Sequence, residues 1–125
     1  MKNTKKQGKF TLFVYQEKPT YYIGVCLEFD LIVEGKNLQE TLKHILNASM
    51  GYLRTVIKNN YSDDLLNEKP PIKYLKIYQK ILKKRMEEIA KAKEEENKPI
   101  PWDQYFSQDI PYNPSIIKES EKVNV

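Results

Sequence analysis

The single cysteine and the single histidine are the residues best suited to covalent chemistry in this chain. A cysteine nucleophile needs a base beside it, so Cys26 and His44 would have to meet. Cys26 lies in the apolar run "VCLEF" at 25–29, whereas His44 falls on the polar side of a predicted helix. We therefore predict that Cys26 is a small core residue. One cysteine also excludes an internal disulfide and a thiolate metal cage built from this chain alone.

Three acidic residues near predicted strand ends form the other group with chemical potential. Glu28, Asp30 and Glu34 could hold a metal or act as acid and base, although turns on a solvent face often carry such residues. The sequence contains no Gly-rich phosphate loop, no histidine pair and no nucleophile elbow. We therefore expect no catalytic residue, no metal and no cofactor. The chain is predicted not to be an enzyme.

Charge and hydropathy restrict the partners only weakly. The 125 residues include 21 Lys and Arg against 17 Asp and Glu, a net charge of +4, and the mean hydropathy is -0.68. This balance permits an anionic partner without requiring one. No apolar run approaches the ~18 residues of a membrane helix, and the N-terminus lacks the apolar stretch of a signal peptide. We expect a cytoplasmic protein with no membrane contact.

Residues 10–60 have the pattern of a small α+β domain. The runs "KFTLFVYQE", "YYIGVCLEF" and "LIVEG" alternate apolar and polar residues, which predicts three strands of an antiparallel β-meander. Asn37 with Glu40 has the form of a capping box, in which each side chain bonds a free backbone N–H at the start of a helix. Apolar residues then follow at steps of three and four from Leu38 to Ile57. They predict one amphipathic helix that covers one face of the sheet.

The C-terminal half is predicted to contain a linker at 61–72, a helix at 73–98 and a tail rich in proline and aromatic residues at 99–125. The helix is expected to bury one apolar stripe, which neighbouring tyrosine and isoleucine residues make wider. The stripe consists of Leu75, Tyr78, Leu82, Met86 and Ile89, widened by Tyr74, Ile77 and Ile81. In the tail, a short helical turn is expected to begin at Pro101.

Two parts of this half are candidates for binding. The basic side of the helix could contact phosphates while Tyr74 and Tyr78 stack on a base, or it could simply be solvated. Its residues are Lys76, Lys80, Lys83, Lys84 and Arg85. Aromatic residues of the tail could anchor a segment that becomes ordered on a protein partner. They are Trp102, Tyr105, Phe106 and Tyr112. A homodimer or larger homo-oligomer paired through a sheet edge is a third alternative.

The stretch "YYIGVCLEFDLIVEGKNLQETLKHILNASMGYL" resembles the N-terminal domain of the HicB-like antitoxins of bacterial toxin-antitoxin pairs. The sequence pattern of that family is Y-x-(A/V)-x-C-P-E-L, followed by I-V-S-x-G and by T-L-E-E-A-L before an amphipathic helix. The resemblance covers residues 10–58. The matching positions are Tyr22, Cys26, Glu28, Ile32, Val33, Gly35, Leu38, Glu40, Leu42 and Leu53. Leu27, Asn37 and Thr41 depart from the family pattern.

The resemblance implies a partial ribonuclease H-like fold without catalytic carboxylates. It also implies a partner, a HicA-like toxin that cleaves RNA and is neutralised by binding. The family usually has a C-terminal ribbon-helix-helix or helix-turn-helix that binds DNA, and residues 62–125 match neither. The resemblance therefore predicts a non-enzymatic protein that acts by binding another protein.

Overall fold

The computed structural model describes residues 2–94 and 105–113. The elements in chain order are β1 (Gly8–Lys18), β2 (Tyr21–Cys26), β3 (Leu31–Gly35), α1 (Leu38–Lys58), a short 3-10 turn (Asp63–Leu66), α2 (Ile72–Glu94) and β4 (Tyr105–Tyr112). The strands form one antiparallel sheet in the order β3-β2-β1-β4. The predicted α+β class is confirmed. Neither helix, as far as the described residues extend, has the length and apolar character needed to cross a membrane.

Strand β1 lies inside the sheet and is covered on both faces. Its five residues from Phe10 to Val14 are all buried. Phe10, Leu12 and Val14 pack under α1, while Phe13 packs on the opposite face against Tyr78 of α2. This run is continuously apolar except at Thr11 because neither of its faces reaches water.

Helix α1 begins at the junction that follows β3. The Asn37 side chain accepts a bond from the Glu40 backbone N–H at 2.7 Å. The Glu40 carboxylate accepts in return from the Lys36 N–H at 2.9 Å, one residue before the cap. The helix then packs on the sheet through its buried residues Thr41, Ile45, Ser49, Leu53 and Val56. The hydrogen bonds of Asn37 and Glu40 thus fix the residue at which α1 begins after β3.

Helix α2 packs with a different side from the one expected. Leu75, Leu82, Met86 and Ile89 of the predicted buried stripe are exposed. The sheet is instead contacted by the residues that were expected only to widen that stripe, together with Tyr78. They are Tyr74, Ile77 and Ile81. The helix is apolar on two sides, and its periodicity alone does not decide which side meets the sheet.

Strand β4 occupies part of the expected tail. Tyr105–Tyr112 pairs antiparallel with β1, with Gly8 opposite Tyr112 and Tyr15 opposite Tyr105. The helical turn expected at Pro101 falls outside the described residues, as does Trp102. Pro111 argues against an inner strand and suits a strand at the edge of the sheet, where β4 lies. The pairing depends on a distant strand, so local sequence patterns do not indicate it.

Gly35 allows β3 to approach the first turn of α1. A Cβ atom at this position would lie 2.1 Å from Thr41 Oγ1 and 3.1 Å from Thr41 Cα. Thr41 is itself buried, and its hydroxyl donates to the Asn37 carbonyl at 2.7 Å. Neither the backbone nor the bonded hydroxyl is free to move away. A side chain at position 35 would therefore separate the helix from the strand.

We predict that Gly35→Ala lowers the free energy of unfolding by about 1–3 kcal/mol because of this clash. Gly51→Ala is the matched control, since a Cβ there meets only Arg54 Nη2 at 3.9 Å. That control should raise stability by about 0.5–1 kcal/mol, because alanine is favoured over glycine inside a helix. Urea unfolding followed by circular dichroism measures both. Equal stability of the two variants would contradict the close packing at the joint.

Candidate functional site

The cysteine and the histidine do not form a reactive pair. Cys26 is fully buried in the core beneath α1, and burial raises the pKa of its thiol to about 12. His44 is exposed on α1, where Nδ1 lies 3.4 Å from the Glu34 carbonyl oxygen. A thiol with so high a pKa stays protonated near neutral pH and is a weak nucleophile. Cys26 therefore serves as a core residue, as the sequence predicted.

The three acidic candidates do not act together, and two of them bond different residues. Glu28 accepts from the Thr11 N–H at 2.7 Å and from the Thr11 hydroxyl at 2.9 Å. Glu34 accepts from the Tyr21 hydroxyl at 2.7 Å. Asp30 is an exposed turn residue with a left-handed φ of 52°. Within 2–94 and 105–113, no three His, Cys, Asp or Glu side chains come together as metal ligands.

A carboxylate that sequence reasoning missed lies close to Glu28. The Thr11 hydroxyl is 3.0 Å from Asp109 Oδ1 on β4 and also contacts Glu28, so two carboxylates share one hydroxyl. Lys9 Nζ lies 3.6 Å from the other oxygen of Asp109. The hydroxyl carries a single hydrogen and can donate to only one carboxylate at a time. Only the pairing of Thr11 with Asp109 in the sheet reveals this cluster, and no local sequence signal indicates it.

The basic residues of α2 divide into two groups. Lys76, Lys80 and Lys83 are exposed. Arg85 instead donates from Nη1 to the Ser107 carbonyl at 2.9 Å and to the Ser107 hydroxyl at 3.1 Å, while Lys84 Nζ lies 5.5 Å from the centroid of the Tyr105 ring. These contacts attach α2 to β4. The basic set is therefore partly structural.

The two tyrosines expected to stack on bases point toward the sheet. Tyr78 lies 5.5 Å from Phe13 between ring centroids, and Tyr74 packs against the same core cluster. Base stacking needs an aromatic face open to solvent. Both rings are therefore half-buried, and Lys73 Nζ lies 5.5 Å from the centroid of the Tyr74 ring.

Three of the four aromatic candidates of the tail belong to the domain itself. Tyr105 and Tyr112 are buried, and Phe106 is half-buried against the α1 side of the core. The Tyr105 hydroxyl donates to the Glu88 carboxylate, and the Tyr112 hydroxyl donates to the Thr4 carbonyl at 2.8 Å. Trp102 lies outside the described residues. Tyr105 and Tyr112 thus hold β4 in place and are not displayed on the surface, while Phe106 is only partly covered.

Burial keeps the core tyrosines protonated. It is the main cause that raises the pKa of Tyr105 to about 12, and the bond and charge of Glu88 add to it. Burial likewise raises the pKa of Tyr15 and of Tyr112 to about 12, with the charge of Glu17 acting on Tyr15 and that of Asp63 on Tyr112. These three hydroxyls therefore stay protonated well above neutral pH, and those of Tyr105 and Tyr112 are hydrogen-bond donors.

On the described residues, most of the exposed large apolar side chains lie along one side of α2, which we name the outer stripe of α2. It consists of Ile72, Leu75, Leu82, Met86 and Ile89, whose exposed fractions lie between 37% and 72%. Ile32 on β3 is a further exposed apolar residue, at 45%. Large apolar side chains that are grouped on the surface commonly mark a contact site. The outer stripe is therefore the main candidate binding surface on the described residues.

At each outer edge of the sheet, a side chain from a helix contacts a backbone carbonyl of the edge strand. Arg85 occupies the Ser107 carbonyl on β4, and His44 lies against the Glu34 carbonyl on β3. Among the described residues, β3 pairs only with β2, and β4 only with β1. Groups placed in this way make it harder for another strand to add to an edge.

The described residues define a small α+β domain in which an antiparallel sheet lies between two helices. Comparison of the chain with known protein families, curated proteins and solved structures finds no match. A functional assignment thus depends on the sequence pattern and on the geometry described above.

We predict that Tyr105→Phe lowers the free energy of unfolding by about 1 kcal/mol at pH 7, because the bond to Glu88 is lost. It should also reduce the loss of stability at high pH. In the unfolded chain a tyrosine loses its proton near pH 10. The folded protein retains the Tyr105 proton to about pH 12, so stability falls between these values.

The measurement is urea unfolding at intervals from pH 7 to 12. The fall above pH 10 should be shallower in Tyr105→Phe than in the wild type, with the remainder due to Tyr15 and Tyr112. Tyr61→Phe is the matched control, since Tyr61 is exposed. It should follow the wild-type curve. A Tyr105→Phe curve parallel to that of the wild type would rule out the proposed link.

Proposed function

We propose that this protein is a HicB-like antitoxin or an orphan relative, which binds and neutralises a small RNA-cleaving toxin without being an enzyme itself. The observation that carries the proposal is the unbroken unit of β2, β3 and α1 at residues 21–58. This unit contains the stretch that resembles the family. Its order of strand, strand and helix is the order that the resemblance implies.

The packing of the matching residues supports this proposal. Cys26 and Leu53 are buried in the core that α1 forms with the sheet, and Val33 and Leu42 pack against that core. Gly35 sits where a side chain would strike Thr41. Each of these residue types therefore has a physical reason to occupy its position. These packing roles are the support that the matching residues give to the proposal.

The roles of the polar groups support a binding function over a catalytic one. The carboxylates of Glu28 and Asp109 hold Thr11, the hydroxyl of Tyr105 holds Glu88, and Cys26 is buried. These groups stabilise contacts between elements. The surface, by contrast, carries exposed apolar residues of the kind that protein interfaces bury.

Nucleic-acid binding through α2 has less support. Tyr74 and Tyr78 pack on the sheet, and Arg85 is engaged by Ser107, so the exposed part of the basic set is a row of lysines. Such a row contacts phosphates through charge alone and gives binding that weakens steeply with salt. Direct measurement of RNA binding separates this alternative from the antitoxin proposal.

The experiment is to purify the tagged chain from its own host, identify the co-purifying protein by mass and then produce that protein separately. We expect the captured protein to cleave RNA and an equimolar amount of the chain to stop the cleavage. The chain alone, tested on the same RNA at low and high salt, is the control for protection by RNA binding. A captured protein without RNase activity, or inhibition explained by RNA binding of the chain, would refute the proposal.

Trp102 is the remaining aromatic candidate for the partner contact, on sequence grounds alone. Trp102→Ala should weaken the complex with the captured protein by about tenfold or more, as expected for a buried aromatic anchor. Tyr61→Ala, which removes an exposed aromatic ring elsewhere, should leave the affinity unchanged. Isothermal titration calorimetry measures both. Equal affinities would remove Trp102 from the proposed interface.

A further inference from the structure

The outer stripe of α2 follows the spacing of a coiled-coil seam. Its residues fall at 72, 75, 82, 86 and 89, and with Gln79 they complete alternating steps of three and four. This average of 3.5 residues is the heptad repeat, in which positions a and d face a partner helix. Ile72, Gln79 and Met86 occupy position a, while Leu75, Leu82 and Ile89 occupy position d. Gln79 is the one polar residue of the seam.

The seam lies on the side of α2 that faces away from the sheet. Tyr74, Ile77 and Ile81 make the contacts with the sheet, and the seam residues are exposed. From Ile72 to Ile89 the seam is about 26 Å long. A coiled coil of this length would be marginal as an isolated peptide. In this protein α2 is already ordered by its packing on the sheet. Association of two copies therefore loses less conformational entropy than association of two unfolded peptides would.

The shape and chemistry of the seam favour a second copy of the chain. The stripe is only two residues wide, and so narrow a stripe fits against another helix better than it fits against a broad apolar surface. A glutamine buried in such a seam needs a hydrogen-bond partner in the same layer. In a parallel pair of identical chains, Gln79 lies opposite Gln79 and each supplies the partner of the other. A single polar a position is known to set both register and two-stranded pairing.

The flanking charges favour parallel over antiparallel pairing. Lys76 and Lys83 occupy position e beside the seam, whereas position g holds Tyr78 and Arg85, which turn toward the sheet and β4. In a parallel pair, e faces g of the other chain, so the two lysine rows lie on opposite sides of the seam. An antiparallel pair would bring Lys76 against Lys83 of the other copy, which is repulsive.

We propose that the protein forms a parallel two-fold homodimer through the outer stripe of α2. The sheet of each copy then lies on the far side of its own helix and leaves the seam free to close. The interface is isologous, as two-fold symmetry requires. This inference does not depend on the antitoxin proposal, because it is argued from the heptad spacing of α2 and its partner is a second copy of the chain.

Sedimentation velocity from about 1 to 100 µM tests the dimer. We expect the wild type to be dimeric in the upper part of this range, and Leu82→Glu to weaken association by about tenfold or more. Lys80→Glu is the matched control, since it places the same residue on the same helix at position b, outside the seam, and it should remain dimeric. Ile32→Glu at the edge of the sheet should also remain dimeric.

Thermal unfolding of each variant shows whether it is folded. If Leu82→Glu is unfolded, Met86→Glu takes its place, because Met86 is the most exposed apolar residue of the seam. A wild type that is monomeric at 100 µM would overturn the proposal. So would a dimer that survives these substitutions, and a dimer lost only in Ile32→Glu would indicate pairing through the sheet edge instead.

Oxidative cross-linking tests the orientation of the two helices. In the parallel dimer position 75 lies opposite itself, so Leu75→Cys should give a disulfide-linked dimer when an oxidant such as oxidised glutathione is added. The wild type should give none, because its Cys26 is buried. Antiparallel pairing would set position 75 near position 86 and prevent the cross-link. Absence of a cross-link in a dimeric Leu75→Cys variant would overturn the parallel arrangement.

Discussion

The fold depends on one strand that is enclosed on every side. Strand β1 bonds to β2 along one edge and to β4 along the other, while α1 covers one face and α2 the other. Its centre from Phe10 to Val14 is therefore buried, with no residue more than 6% exposed. A buried backbone must pair all its N–H and C=O groups. This requirement explains why Glu28 bonds the Thr11 N–H, where the pairing between β1 and β2 comes to its end.

Most of the polar side chains that could be read as catalytic instead form hydrogen bonds around the buried strand β1. Glu28 and Asp109 both contact Thr11, and Arg85 accompanies Ser107 at the edge of the sheet. The buried tyrosines find an acceptor for their hydroxyls on a neighbouring element, as Tyr105 does on α2. These contacts bind the outer elements to the central strand. The features left for recognition lie on the outside, above all the outer stripe of α2.

Local patterns in the sequence predicted the elements that are contiguous in the chain. The alternation of the first three strands, the Asn37 cap and the apolar stripe of α1 are short-range signals, and the α+β class follows from them. The role of β4 could not be predicted, because its partner β1 lies about a hundred residues away in the chain. The orientation of α2 was missed for a related reason: two of its sides are apolar, and only the tertiary contact decides between them. Asp109 was overlooked because its neighbour Thr11 is supplied by that distant pairing.

The late position of β4 has a consequence for biosynthesis. The Tyr112 hydroxyl bonds to the Thr4 carbonyl across 108 residues, so β1 receives its β4 neighbour only after the intervening chain has been synthesised. Until then one edge of β1 is unpaired, and an unpaired strand edge invites association with other nascent chains. Contacts between residues so far apart also slow the final folding step. In the interval between the synthesis of β1 and that of β4, the central strand of the sheet therefore has one open edge that a chaperone could shield.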